Sequence, residues 1–184
     1  MSQVAFVQSA SGAKGKASVN LDGDWEVVLL AAIACLALAV GVLVYLTDRD
    51  TSHAVLIPAV GALAGSHLFG ALGQWLPSFV HPFAFSLFTA AALPPRSASR
   101  YGACAAWCAV NVAFELGQHP RVSARLAEAL QGSFAQTALT RPLANYFLRG
   151  TFDVGDIVAA VIGAFAAAGV LHFMQRASEN DHAS

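Results

Sequence analysis

Three stretches of the chain place groups capable of chemistry at helical spacing. Asn111, Glu115 and Gln118 follow an i, i+4, i+7 pattern, and Arg149, Asp153 and Asp156 repeat it. Residues so spaced share one face of a helix. The third contribution is His81, in FVHPF. Carboxylates and imidazole serve acid–base catalysis and metal ligation, and a guanidinium can grip phosphate through two parallel hydrogen bonds. The tight signatures of enzymes and metal sites, such as HExxH or an activated Ser or Cys arrangement, do not occur. No metal set or cofactor is therefore expected. The expectation is a polar binding site made by His81, Glu115, Gln118, Arg149, Asp153 and Asp156.

The elements that must position these residues follow from composition. Of 184 residues, 57% are hydrophobic and 11% charged, against about 25% charged in an ordinary soluble domain. A soluble globule of this size cannot hide that much apolar surface. A bilayer accepts it, because roughly 20 apolar residues span the hydrocarbon core as a helix that satisfies its own backbone hydrogen bonds. The predicted fold is an all-α integral membrane helical bundle with about five transmembrane helices and an interfacial amphipathic helix.

Apolar runs place the spans near 27–46, 54–72, 79–93, 101–116 and 154–173, within a domain over 25–176. Residues 1–24, rich in Ser, Gly and Ala, read as a flexible tail rather than a cleavable signal peptide, since the apolar run begins too late and is too long. Residues 177–184 read as a C-terminal tail. The third run is short for a span, with Pro77, Pro82, Pro94 and Pro95 marking its ends, so a tilted, thinned or re-entrant segment also fits. A long connection, 117–153, contains RVSARLAEALQ, which places Val122, Leu126, Ala129 and Leu130 on one face of a surface helix. It then returns through Tyr146 and Phe147, aromatic types favoured at a membrane interface.

With five alternating crossings, the start of the third helix, the end of the fourth and the start of the fifth emerge on one face. The three polar stretches would then meet. Short loops at 48–50 and 94–100 would share the opposite face with the C-terminal tail, and their arginines mark it as cytoplasmic. A plainer reading of the acids also holds: Asp153 and Asp156 can cap the fifth helix, where the dipole favours negative charge. Glu115 sits at the unfavourable pole of its own helix and needs a partner, for which Arg149 is the candidate. His67 reads as a packing residue inside the second helix, and His119 as loop.

Other classes find less support. The ten Lys and Arg are scattered and the net charge is −1, so no nucleic-acid partner is expected. Cys35, Cys104 and Cys108 all lie in apolar runs without a CxxC, which suits membrane packing better than a disulfide or zinc site.

In order and helical placement, His81, Phe114-Glu115-x-x-Gln118, then Arg149-x-x-x-Asp153-x-x-Asp156 and Gly163 resemble the VanZ-like family of small integral membrane proteins, named after a component of glycopeptide-antibiotic resistance clusters. The resemblance covers about half the chain. It departs from the family pattern at Ser78 and Phe79, where acidic and basic residues are usual, at Ala160, where asparagine is frequent, and in the length of 117–153. It implies a multi-helix protein of the cell envelope, in the plasma (inner) membrane of a bacterium. The expected function is a pocket for a lipid or cell-envelope headgroup. The alternatives are a structural or assembly subunit of a membrane complex, and an intramembrane enzyme or metal-binding protein. Membrane lipid is the expected partner, with a membrane protein or second copy possible through the Gly/Ala-rich faces of helices two and five.

Overall fold

In the computed structural model, residues 21–48, 66–95, 97–133 and 140–183 are described. They form six helices: α1 (Leu21–Asp48), α2 (Ala71–Ala91), α3 (Ala98–Gly117), α4 (Pro120–Ser133), α5 (Thr140–Arg149) and α6 (Val154–Ala183). Among the described residues there is no strand, so the all-α expectation is met.

The helix limits differ from the apolar runs in ways that sequence chemistry explains. α2 starts eight residues before the expected third segment and contains both Pro77 and Pro82. An interior proline removes a backbone hydrogen bond at a cost of roughly 3 kcal/mol. Here both rings are buried among the neighbouring helices, and that packing keeps the helix whole. α2 is therefore a 21-residue helix rather than a 15-residue one. Of the expected second segment, 54–65 lies outside the described residues, 66–70 forms an irregular turn closed at Gly70, and Ala71 and Leu72 open α2. Gly70 has φ +52°, a conformation natural to glycine.

Most of the expected N-terminal tail, 1–20, lies outside the described residues, but α1 already begins at Leu21. At the other end α6 continues through the expected tail to Ala183.

α2 is the centre of the bundle, packed on α1, α3 and α6. The core joins Leu30 and Ala34 of α1, Ala84 and Leu87 of α2, Cys104 of α3, and Ala167 and Leu171 of α6. Small residues allow this close approach. A Cβ on Gly163 would strike the carbonyl oxygen of Phe79, so α6 lies directly on the α2 backbone there. The small-residue face of α6, including Ala160, Gly163, Ala164 and Ala167, is buried inside the chain itself.

Helix direction follows from paired ends. The Asp48 carboxylate accepts the Phe69 N–H, and Ser78 donates to Asp156 at 2.7 Å. At the far end Arg100 pairs with Glu26 and Tyr101 donates to Gln175. α2 and α6 thus run together away from one end, while α1 and α3 run toward it. This corrects the expected alternation: the end of α1 and the start of α2 share one end of the bundle, so Asp48 is separated from the 94–100 turn.

Among the described residues, two helices are long and apolar enough to cross a membrane: Trp25–Asp48, with mean hydropathy 3.1, and Val154–Ala177, with 2.2. Their windows are only 22% and 33% buried within the chain, and large apolar side chains such as Val28, Leu36, Ile162 and Phe165 point outward.

The far end is closed by Arg100. Its side chain is 1% exposed, bonded to Glu26 and donating from Nη2 and Nε to the Leu93 carbonyl at 3.1 and 3.3 Å. One guanidinium thereby ties α1, the α2–α3 turn and α3 together. Removing one member of such a pair leaves the other charge buried and uncompensated, at about 3–5 kcal/mol. Glu26→Ala should lower stability by that order in detergent unfolding followed by helical circular dichroism, whereas Glu179→Ala, an exposed residue of α6, should leave it within about 0.5 kcal/mol.

Candidate functional site

At the opposite end, α1 and α3 terminate where α2 and α6 begin, and α4 and α5 cover the side. Between them lies an open cavity with a volume of about 750 Å³. All six expected site residues line it: His81 from α2, Glu115 and Gln118 from the end of α3, Arg149 from α5, and Asp153 and Asp156 from the start of α6. Residues from three separate stretches of sequence are thus brought to one concavity.

The two aspartates have specific local reasons for their positions. Asp153 is the residue before α6, and its Oδ1 accepts the Gly155 N–H at 2.8 Å, the usual bond of a helix N-cap. Its Oδ2 accepts from Trp75 Nε1 at 3.1 Å and, at 3.4 Å, from Gln74 Nε2. Asp156, one turn on, accepts from Ser78. The capping reading therefore holds for Asp153, and both acids also dock α6 on α2. Ser78, a departure from the family pattern, makes one of these bonds.

Glu115 does not pair with Arg149. Among the described residues Arg100–Glu26 is the one ion pair, so Arg149 reaches neither Glu115 nor Asp153 as a salt bridge. The Glu115 carboxylate instead accepts a hydrogen bond from the Asp153 backbone N–H. Its Oε2 is buried and has no hydrogen-bond partner. Arg149 is exposed at the cavity edge.

Gln118 is 8% exposed and donates from Nε2 to Tyr146 Oη at 2.7 Å. Burial, reinforced by the nearby Glu115 carboxylate, holds the Tyr146 phenol above its ordinary value, so it stays protonated and neutral at physiological pH. Gly150 leaves room for this contact, since a Cβ there would overlap the Gln118 side chain. His81 stacks on Phe85 at 6.1 Å, and Phe85 on Trp107 at 4.9 Å, giving the cavity an aromatic wall.

The amphipathic segment is helical as expected. Its buried side centres on Ala127, with Leu126 and Leu130 half-buried, while Val122 and Ala129 are exposed. Tyr146 and Phe147 belong to α5, and Phe147 packs on Phe114 at 5.7 Å.

Several lining residues were not expected. His67 lies not in a helix but in the turn before α2, with φ +49°, and its N–H donates to the Thr47 carbonyl at 3.2 Å. Asp48 also lines the cavity, as do Tyr45, Gln74 and Trp107. Asp48 carried a readable signal: like Glu115, it is an acid at the C-terminal pole of a helix, where the dipole disfavours it. His119 is a bend residue as expected, accepting the Arg121 N–H and meeting Phe152 edge to face. Among the described residues no three His, Cys, Asp or Glu side chains are placed to hold a metal ion.

The fold and site define a helical bundle with a polar cavity at one end and two helices apolar enough to cross a membrane. No family model, curated protein or solved structure matches the chain.

The indole bond to Asp153 provides a direct check on the docking of α6. Trp75→Phe keeps the ring and removes the donor, and should cost about 1 kcal/mol at this half-exposed position. A double-mutant cycle with Asp153→Asn, read by unfolding in detergent, should return a coupling of that size.

Proposed function

We propose that the chain is an integral membrane protein of the VanZ-like type whose cavity binds the polar headgroup of a lipid or lipid-linked envelope compound. One observation carries this reading: six polar residues from three distant stretches line one cavity of about 750 Å³ at the end of an otherwise apolar bundle. Ionisable groups are costly in such a setting and are retained where they bind or pair.

Membrane insertion is supported by the outward apolar faces of α1 and α6. α2 and α3, with 21 and 20 residues, each reach about 30 Å at 1.5 Å per residue, the thickness of the hydrocarbon core. Four long helices then cross, with the cavity at one interface and α4 and α5 lying along it. The plasma membrane of a bacterium is the setting the family resemblance implies. Arg149, exposed at the cavity edge, is positioned to meet a phosphate at headgroup depth, where a guanidinium can make a bidentate contact.

Lipid retained by the purified protein, measured by mass spectrometry after mild detergent extraction, tests this reading. Arg149→Ala and Glu115→Ala should each reduce the retained lipid severalfold in protein that keeps its helical content. Unchanged retention in both would sink it.

A second reading is favoured by the hydrogen bonds of Asp153 and Asp156 to α2: the polar groups serve to lock the bundle of a structural or assembly subunit. It predicts that Asp156→Ala lowers the unfolding temperature while Arg149→Ala changes neither stability nor retained lipid.

A further inference from the structure

The cavity is charged in an unbalanced way. Among the described residues, Asp48, Glu115, Asp153 and Asp156 line it, and Arg149 is the one Lys or Arg that does. None of the four acids forms an ion pair, since among the described residues the one salt bridge is at the far end of the bundle. Their hydrogen-bond partners are neutral: the Thr47 hydroxyl and Phe69 N–H for Asp48, indole, amide and backbone N–H for Asp153, the Ser78 hydroxyl for Asp156, and the Asp153 N–H for Glu115. Glu115 Oε2 has no donor at all and is buried. A buried acceptor without a partner is costly, and an arriving donor removes that cost, most fully where it brings positive charge.

An anionic headgroup satisfies Arg149 but adds negative charge to a cavity whose described lining already holds three more carboxylates than guanidinium groups. A purely cationic ligand leaves Arg149 without an anion. We infer that the ligand is zwitterionic, an aminoalkyl phosphate whose ammonium is taken by Glu115 and Asp156 and whose phosphate is taken by Arg149. This rests on the headgroup reading above and names its chemical class. The two charged seats lie on different walls, Glu115 and Asp156 at the α3–α6 junction and Arg149 at the end of α5. A ligand with separated charges spans them. His67, His81, Tyr45 and Tyr146 are the other described titratable groups on the wall, and none of them adds a lysine or arginine.

The test uses the full chain in an uncharged detergent, with tryptophan emission as the signal, because Trp107 lines the cavity. Three probes are titrated: short-chain phosphatidylethanolamine, short-chain phosphatidylglycerol, and soluble phosphoethanolamine. Phosphatidylethanolamine should bind at least about tenfold more tightly than phosphatidylglycerol, the ratio expected from one hydrogen-bonded charge contact. Glu115→Gln should remove most of that ratio, and Asp156→Asn, which keeps an acceptor for Ser78, should reduce it. Arg149→Ala should weaken both lipids. Comparable binding of soluble phosphoethanolamine would support the zwitterion and identify a free source, whereas its failure beside a binding lipid identifies a membrane source.

Equal binding of the two lipids, still lost in Arg149→Ala, would overturn the ammonium seat and leave the headgroup reading standing. That is also the outcome if a proton on Glu115 neutralises it instead. Absence of binding by all three probes would overturn both.

Discussion

The docking of α6 on α2 is the constraint on which the remaining architecture depends. It has two parts of different chemistry. Along the helices, alanines and Gly163 bring the α2 and α6 backbones into contact at the Phe79 carbonyl, so that close packing and dispersion hold them together. At their common start, Asp153 and Asp156 accept hydrogen bonds from Trp75, Gln74 and Ser78. These directional bonds set the register of one helix on the other. α3 in turn packs on α6, which brings the Glu115 carboxylate beside the Asp153 backbone at the same end.

The two ends of the bundle solve the problem of buried charge differently. At one, Arg100 is enclosed with Glu26 and a carbonyl, so that its buried charge has an opposite. At the other, among the described residues, four carboxylates share a cavity with one guanidinium that none of them contacts as a salt bridge. A closed pair knits helices together and offers nothing to a ligand. An open, unbalanced cluster stabilises the fold less and leaves capacity for recognition, which is the contrast that underlies the proposed site.

Several features were legible in the sequence because they depend on composition and short spacing. The all-α class follows from long apolar runs. The i, i+4, i+7 patterns put Glu115 beside Gln118 and Asp153 beside Asp156, and the N-cap position of Asp153 follows from its place before an uninterrupted helix. The limits of α2 were not legible, since Pro77 and Pro82 read locally as boundaries and only burial against three neighbours overrides them. The exposure of Val122 and Ala129 is of the same kind, because the side of α4 that is buried is set by its packing against α5.

By itself, the sequence determined that this chain is helical, that its helices carry outward apolar surface, and which six polar residues stand out against it. Tertiary structure alone decided who partners whom. It set Arg149 apart from Glu115 and paired Arg100 with Glu26 across 74 positions of sequence. It also turned the end of α1 to the start of α2, so that Asp48 and His67 joined the cavity. The physical reason is one of range: helix propensity, amphipathicity and capping act within a few residues. Ion pairing and cavity formation instead depend on which helix ends meet, and that is set by packing over the whole bundle.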